Sequence, residues 1–133
     1  MDFAEIKVYS TDPNTNIANT AHINASSNLD PIKYPNSAWV DGSLDKMGHT
    51  SCNDAPWIEL DFGNDIQFTK IIVYPKVKSR MKGCILTIKN NNGDIVYTSL
   101  PITSKSGDST YVFWIENGPL DYNNITYNIP DKQ

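Results

Sequence analysis

The sequence predicts an all-β protein folded as a single β-sandwich. Apolar and polar residues alternate with a period of two in most regular segments, whereas the periodicity of an amphipathic helix is almost absent. Turn-forming residues separate these segments at intervals typical of short antiparallel strands. A length of 133 residues fits one ordinary domain. We therefore treat residues 1–133 as a single β-sandwich domain.

The first strand is predicted over residues 3–8, where polar and apolar side chains alternate. It ends before the turn-rich segment Ser10–Asn14. From there to about Pro56 the chain is rich in Asn, Asp, Ser and Pro, which favour turns over regular strands. Loops are therefore expected to dominate this third of the chain.

The next two strands are predicted on either side of a turn at residues 63–65. In the first, Ile58, Leu60 and Phe62 share one face, so this strand should be half-buried. The second spans Phe68 to Tyr74 and contains three consecutive apolar residues. Such a run is typical of a central strand covered on both faces.

The last part of the chain predicts a hairpin and two further strands. Residues 84–89 alternate, and the pair Asn92-Gly93 separates them from the run at 95–98, which is a strong hairpin signal. Residues 110–115 form an aromatic and β-branched run. Residues 125–129 are expected to return beside the first strand.

Composition and charge exclude several function classes. The formal net charge is −4 and the isoelectric point is about 4.9, which argues against a nucleic-acid-binding protein. No apolar run approaches the roughly 18–20 residues of a membrane span, and the first residues lack a signal-peptide pattern. We therefore expect an intracellular or virion-associated protein whose two cysteines, Cys52 and Cys84, are reduced.

The middle of the chain resembles a known family. The residues that carry the resemblance are Val40-Asp41-Gly42, His49-Thr50 and the segment from Pro56 to Gly63, which reads Pro-Trp-x-x-Leu-Asp-Phe-Gly. They are similar to the discoidin or coagulation-factor C-type family, particularly its fucose-binding F-type lectin branch. The resemblance covers residues 19–89, and the rest more loosely. It implies a galactose-binding-like jelly roll of about eight antiparallel strands, with ligand-binding loops at one end.

The lectin branch binds fucose through a His, an Arg that follows after 26 intervening residues, an Asp, and a second basic residue. The same spacing separates His49 from Lys76, but Lys78 stands where the Asp would be and Arg80 supplies the second basic group. An ammonium lacks the two oriented donors of a guanidinium, and Lys78 cannot accept a hydroxyl proton. His49, Lys76, Lys78 and Arg80 are therefore predicted to bind a carbohydrate or an acidic group. The alternative is a solvated basic loop.

The resemblance also implies a structural calcium ion in the loop between residues 28 and 42. Asp30, Asn36 and Asp41 carry the oxygen ligands that calcium prefers. The alternative is that these side chains cap turns of their own backbone, which requires no metal. No other cofactor is expected.

Nothing in the sequence predicts an enzyme. His49 and Cys52 lie three positions apart, but no nearby basic residue or helix N-terminus favours a reactive thiolate at Cys52. Cys84 shares an apolar face with Leu86 and Ile88, where a thiol behaves as a small hydrophobic group. Phosphate-binding loops, nucleophile elbows and helical metal-binding motifs are absent from the sequence.

Two function classes remain. In the first, the domain is a structural or attachment component of a larger assembly, such as a virion or capsid, and contacts other protein subunits and surface glycans. The apolar residues on both faces of the strand near Trp114 favour this class, because one face would meet a partner. The alternative is a lectin that uses His49, Lys76 and Arg80. Trp57 and Trp39 are both predicted to lie in the core.

Overall fold

A computed structural model describes residues 2–45, 47–50, 56–75, 83–102, 110–115 and 122–128. Within these ranges the chain forms ten β-strands, two short 3₁₀ helices and no α-helix. The strands are β1 (Asp2–Phe3), β2 (Glu5–Tyr9), β3 (His22–Ala25), β4 (Gly48–His49), β5 (Trp57–Ile66), β6 (Lys70–Tyr74), β7 (Ile85–Asn90), β8 (Ile95–Thr98), β9 (Tyr111–Trp114) and β10 (Tyr122–Asn128). The 3₁₀ helices span Ala18–Thr20 and Asn36–Val40.

The strands form two main sheets and one small pair. The five-stranded sheet has the order β3-β5-β10-β7-β8, the three-stranded sheet has the order β2-β6-β9, and β1 pairs with β4. Every pairing between them is antiparallel. The sequence prediction of an all-β sandwich is confirmed.

The core lies between the inner faces of the two sheets. Alternation places Ile58, Leu60 and Phe62 of β5 on the inner face, as predicted. From the facing sheet come the fully buried Ile71 and Val73 of β6. Each buried aliphatic side chain of this kind contributes about 1.5–3 kcal/mol through removal of its apolar surface from water.

The last strand, β10, lies elsewhere than the sequence predicts. It was expected beside the first strand, but it pairs with β5 on one side and β7 on the other. Ile125 is opposite both Leu60 and Ile88, and all three are fully buried. Alternation specifies which face of a strand is buried but not its neighbours, so the sequence pattern could not exclude this central position.

Two other elements also differ from expectation. β6 is central in its sheet, but Ile72 is only half-buried on the outer face, between Lys7 and Val112. The segment predicted as loops contains β3, β4 and both 3₁₀ helices. The polar composition of this segment predicted turns, so the short strand β3 was not expected. β3 pairs with β5 along four residues.

The predicted hairpin joins β7 and β8. Gly93 has a φ of 84°, a left-handed conformation that glycine adopts without steric cost. The Asn90 Oδ1 atom accepts hydrogen bonds from the backbone N–H groups of Asn92 and Asp94, at 2.9 and 3.0 Å. The turn therefore has the chemistry that the sequence indicates.

One end of the core is closed by Trp39, which is fully buried as predicted. Its ring stacks on Phe3 at a centroid distance of 5.4 Å, and Phe3 in turn meets Tyr127 edge-on at 5.5 Å. The Trp39 indole also lies against Gly48 so closely that a Cβ atom there would overlap it. Trp39 therefore fixes the position of β4.

No helix within the described ranges is long and apolar enough to cross a membrane.

Candidate functional site

His49 lies on the short strand β4, beside the Trp39 cluster. It pairs with Asp2 of β1, and its carbonyl oxygen accepts a hydrogen bond from the Leu29 N–H at 3.0 Å. The neighbouring Gly48 is held against the Trp39 indole. The backbone of His49 thus contacts both β1 and Leu29. These contacts fix the point on the backbone from which the imidazole projects.

The imidazole of His49 is half-buried and oriented by two contacts. Its Nδ1 atom lies 2.6 Å from the Thr50 carbonyl oxygen, which can only accept, so Nδ1 carries the proton. In the neutral ring Nε2 is then the acceptor nitrogen. The Tyr34 ring lies 5.3 Å away between centroids, tilted by 41°. The Thr50 carbonyl group and the Tyr34 ring thus orient the imidazole of His49.

The other three predicted ligand-binding residues, Lys76, Lys78 and Arg80, lie outside the described residues. The described part of this region ends with β6 and Pro75. Their proximity to His49 therefore stays a prediction.

Asp30 and Asp41, two of the three predicted calcium ligands, accept hydrogen bonds from turns. The Asp30 Oδ1 atom accepts the N–H groups of Ile32 and Lys33, both at 3.1 Å. The Asp41 Oδ1 atom accepts the N–H of Ser43 at 2.8 Å. These are the turn-capping roles that the sequence left open as the alternative to metal binding.

Asn36, the third of these residues, is bonded to another amide of the same loop. The Asn28 Nδ2 atom donates to Asn36 Oδ1 at 2.9 Å and to the Tyr34 carbonyl oxygen at 2.8 Å. The Asn28 Oδ1 atom is buried and has no hydrogen-bond partner. A buried oxygen of this kind suits a hard cation. However, among the described residues no three His, Cys, Asp or Glu side chains come together as metal ligands. Calcium binding stays a prediction, which thermal melts with and without a chelator would check.

Glu5 is a fully buried carboxyl group that the sequence did not single out. It is fully buried, and its Oε2 atom accepts the Gly42 N–H at 2.6 Å while Oε1 has no hydrogen-bond partner. Burial raises the pKa of Glu5 from its usual 4.5 to about 7, and the nearby Asp41 carboxylate adds to this. The Gly42 N–H and, more weakly, Lys7 act in the opposite direction. Through its hydrogen bond from the Gly42 N–H, Glu5 connects β2 to the Asp41-Gly42 turn.

Cys84 has the surroundings of a structural thiol. It is fully buried, and desolvation raises the pKa of its thiol to about 11, although the Tyr127 hydroxyl partly opposes this. A thiol with this pKa is almost entirely protonated at neutral pH, so it is a poor nucleophile. Cys52 lies outside the described residues.

Trp57 is not part of the core, contrary to the sequence prediction. Its side chain is 38% exposed on the outer face of the five-stranded sheet, next to Glu59. A signal for this was present, because Trp57 has the same parity along β5 as the polar residues Glu59 and Asp61. Strand alternation therefore places the indole outside once Ile58 is inside.

The outer face of the three-stranded sheet carries a second exposed tryptophan. Trp114 is 65% exposed and Val112 43%, while Tyr111 and Phe113 pack against the core. The Lys70 Nζ atom lies 4.6 Å from the centroid of the Tyr9 ring and 5.3 Å from that of Trp114. One apolar side of β9 thus faces outward.

Solved structures with this architecture include modules that bind carbohydrates. A histidine mutant of the lectin binding domain of Lectinolysin, complexed with Lewis b, is 19% identical with a TM-score of 0.71, over 89% of this chain and 87% of that one. A Streptococcus pneumoniae fucose binding module, SpX-3, is 21% identical with a TM-score of 0.68, over 86% of both chains. The chain has the fold of these lectin modules.

A further solved structure supports the same assignment of fold. The lectin domain of Lectinolysin complexed with Lewis B antigen is 17% identical with a TM-score of 0.66, over 93% of this chain and 89% of that one. No protein-family model and no curated protein sequence matches this chain significantly. The discoidin-like, F-type resemblance of the sequence is confirmed in the fold.

Proposed function

We propose that this protein is a non-catalytic carbohydrate-binding module. The observation that carries the proposal is the similarity of nearly the whole chain to three structures described as lectin or fucose binding modules. Two of those structures are complexes with Lewis b. This similarity favours the lectin interpretation over the assembly interpretation, which was the first function class derived from the sequence.

His49 is the proposed centre of the binding site. Its Nδ1 atom donates to the Thr50 carbonyl oxygen, which orients the imidazole that the glycan would contact. Lys76, Lys78 and Arg80 supply donors to ring and hydroxyl oxygens of the glycan, or to an acidic group on it. Because two lysines stand where Arg and Asp would be expected, the preferred glycan differs from simple fucose.

A glycan array with point variants tests this function. We expect His49→Ala and Lys76→Ala each to lower glycan affinity roughly tenfold or more, since each removes a hydrogen bond to the ligand. The matched control is His22→Ala, which removes the other histidine of the chain from an exposed position on β3. It should bind as the unmodified protein does.

Two results would overturn the proposal in different ways. An array on which the unmodified protein retains no glycan would remove the lectin function altogether. If the array retained His49→Ala as strongly as the unmodified protein, His49 of β4 would not be part of the glycan-binding site.

Assembly with other protein subunits is a second candidate function. The specific observation in its favour is the outward exposure of Val112 and Trp114 on β9. Large exposed apolar side chains on adjacent positions of one face favour contact with another protein. A role in a virion or capsid, and an intracellular location, remain predictions from the sequence.

A further inference from the structure

The outer face of the five-stranded sheet carries a groove with a volume of about 390 Å³. We call it the outer-face groove. Its lining comes from four strands, namely Trp57 and Glu59 of β5, Thr126 of β10, Thr87 and Lys89 of β7, and Ile95 of β8. His49 is not among the described residues that line it. The described lining of the groove and His49 of the loop site are therefore different sets of residues.

A row of polar residues crosses the sheet through this groove. Antiparallel register places Asn24 opposite Glu59, and Glu59 opposite Thr126. On the other side of β10, Thr126 is opposite Thr87, which is opposite Thr98. Four strand spacings of about 4.8 Å make this row roughly 19 Å long. It is long enough to run beneath more than one sugar ring.

The polar row has a fixed carboxylate. The Asn24 Nδ2 atom donates a hydrogen bond to Glu59 Oε1 at 3.1 Å, which restrains the Glu59 side chain. A carboxylate held in this way is an acceptor for sugar hydroxyls, while the Thr87 hydroxyl can both donate and accept. The groove therefore offers acceptors and donors from rigid strands.

Apolar side chains stand at two places along the groove. Trp57 is 38% exposed and Ile95 is 62% exposed, although both belong to regular strands. The backbone of Trp57 is fixed by Ser26, whose N–H donates to the Trp57 carbonyl oxygen at 2.9 Å and whose Oγ accepts the Trp57 N–H at 3.1 Å. The indole therefore projects from an anchored point, as a stacking surface requires.

The lining chemistry selects among ligand classes. Glu59 and Lys89 carry opposite charges, so the described lining of the groove has no net charge to attract a polyanion. An apolar protein surface would remove both charges from water without a polar partner, which costs several kcal/mol. A sugar ring has an apolar face for an indole and hydroxyl groups for Glu59, Lys89 and the threonines. The groove thus offers both the apolar surface and the polar groups that a sugar ring can contact.

We propose that the outer-face groove is a second carbohydrate-binding site, which takes a neutral, unbranched oligosaccharide. Trp57 stacks against one sugar ring, and Glu59 and Thr87 bond the hydroxyls of the rings that lie along the polar row. This site goes beyond the lectin function proposed for the loop around His49, and its occupation does not require that site.

Affinity electrophoresis and calorimetry with neutral unbranched hexasaccharides of glucose, xylose, mannose and galactose test the proposal. We expect the unmodified protein to bind at least one of them. Trp57→Ala should weaken that binding at least tenfold, and Glu59→Gln should weaken it by a smaller factor. The matched control is Trp114→Ala, which removes an exposed tryptophan from the opposite sheet and should leave binding unchanged. Circular dichroism and melting temperature will show that the variants are folded.

The variants separate this proposal from the loop site. Loss of oligosaccharide binding in Trp57→Ala, with retention in His49→Ala, supports the groove even if the loop binds no fucosylated glycan. Four outcomes overturn it: no binding of any hexasaccharide by the unmodified protein, unchanged binding in Trp57→Ala, equal loss in Trp114→Ala, or equal loss in His49→Ala.

Discussion

At the scale of single residues, Glu5 shows how a buried position changes the chemistry of a side chain. It alternates with apolar residues in the sequence, as the outward residues of a strand would. In the structure it is fully buried beneath the Asp41-Gly42 turn, with one carboxylate oxygen bonded to an N–H and the other without a partner. Desolvation therefore favours its protonated form.

This burial predicts a pH dependence of stability. Glu5 has a folded pKa of about 7 against an ordinary value of 4.5, so between these values the folded state binds more protons than the unfolded state. The free energy of unfolding should therefore fall as pH rises from about 4.5 to about 7, and this contribution should level off above that. Urea unfolding at a series of pH values measures it.

Glu5→Gln isolates the contribution of this carboxyl. Its amide oxygen can still accept the Gly42 N–H, and it does not ionise. We expect the variant to lose less stability than the unmodified protein between pH 5 and pH 8. Glu59→Gln, which removes a carboxylate from the outer face, is the matched control. Parallel pH profiles for Glu5→Gln and the unmodified protein would contradict the assignment.

At the scale of elements, the strands that the sequence predicted best are those with local signals. β5 and the β7–β8 hairpin have clear alternation, and Asn92-Gly93 supplies the turn between the latter two. The position of β4 depends instead on the contact between Trp39 and Gly48, nine residues apart in the chain. No local pattern encodes that contact. The loop end of the sandwich was therefore less predictable than its sheets.

Gly48→Ala tests the coupling between the Trp39 cluster and β4. The added Cβ would overlap the indole ring, and overpacking of this kind costs about 1–3 kcal/mol. We expect a lower melting temperature and weaker glycan binding, since β4 carries His49. The second variant Trp39→Phe, combined with Gly48→Ala, should recover part of the stability because the smaller ring leaves room. Full stability of Gly48→Ala alone would show that β4 is not held in this way.

At the scale of the whole molecule, the two outer faces of the sandwich differ. The five-stranded face has a polar row and a groove, whereas the three-stranded face exposes Val112 and Trp114 beside Lys70. The first suits a hydroxyl-rich ligand and the second suits a protein surface. The proposed oligosaccharide site and the proposed assembly surface therefore lie on opposite faces of the sandwich.

Sedimentation velocity over a range of concentrations tests the assembly face. We expect the unmodified protein to self-associate and the double variant Val112→Ser, Trp114→Ser to sediment as a monomer, because the apolar contact is removed. Trp57→Ser, on the opposite face, is the matched control and should still associate. A monomer at every concentration would count against self-assembly through β9.

The amino-acid sequence predicts the fold class, the inner faces of most strands and the principal hairpin. These depend on side-chain period and turn chemistry, which act over a few residues. It also indicated the discoidin-like resemblance that the fold confirms. The F-type resemblance singles out His49, whereas the contacts of its ring with Thr50 and Tyr34 are seen only in the structure.

The neighbours of each strand and the contacts of each face become visible in the folded molecule. β10 lies between β5 and β7 rather than beside the first strand, and this pairing creates the polar row of the groove. Trp57 is partly exposed and Glu5 is fully buried, although apolar and charged character alone predict the reverse. The reason is that burial depends on the elements packed over a residue, and those elements come from distant parts of the chain.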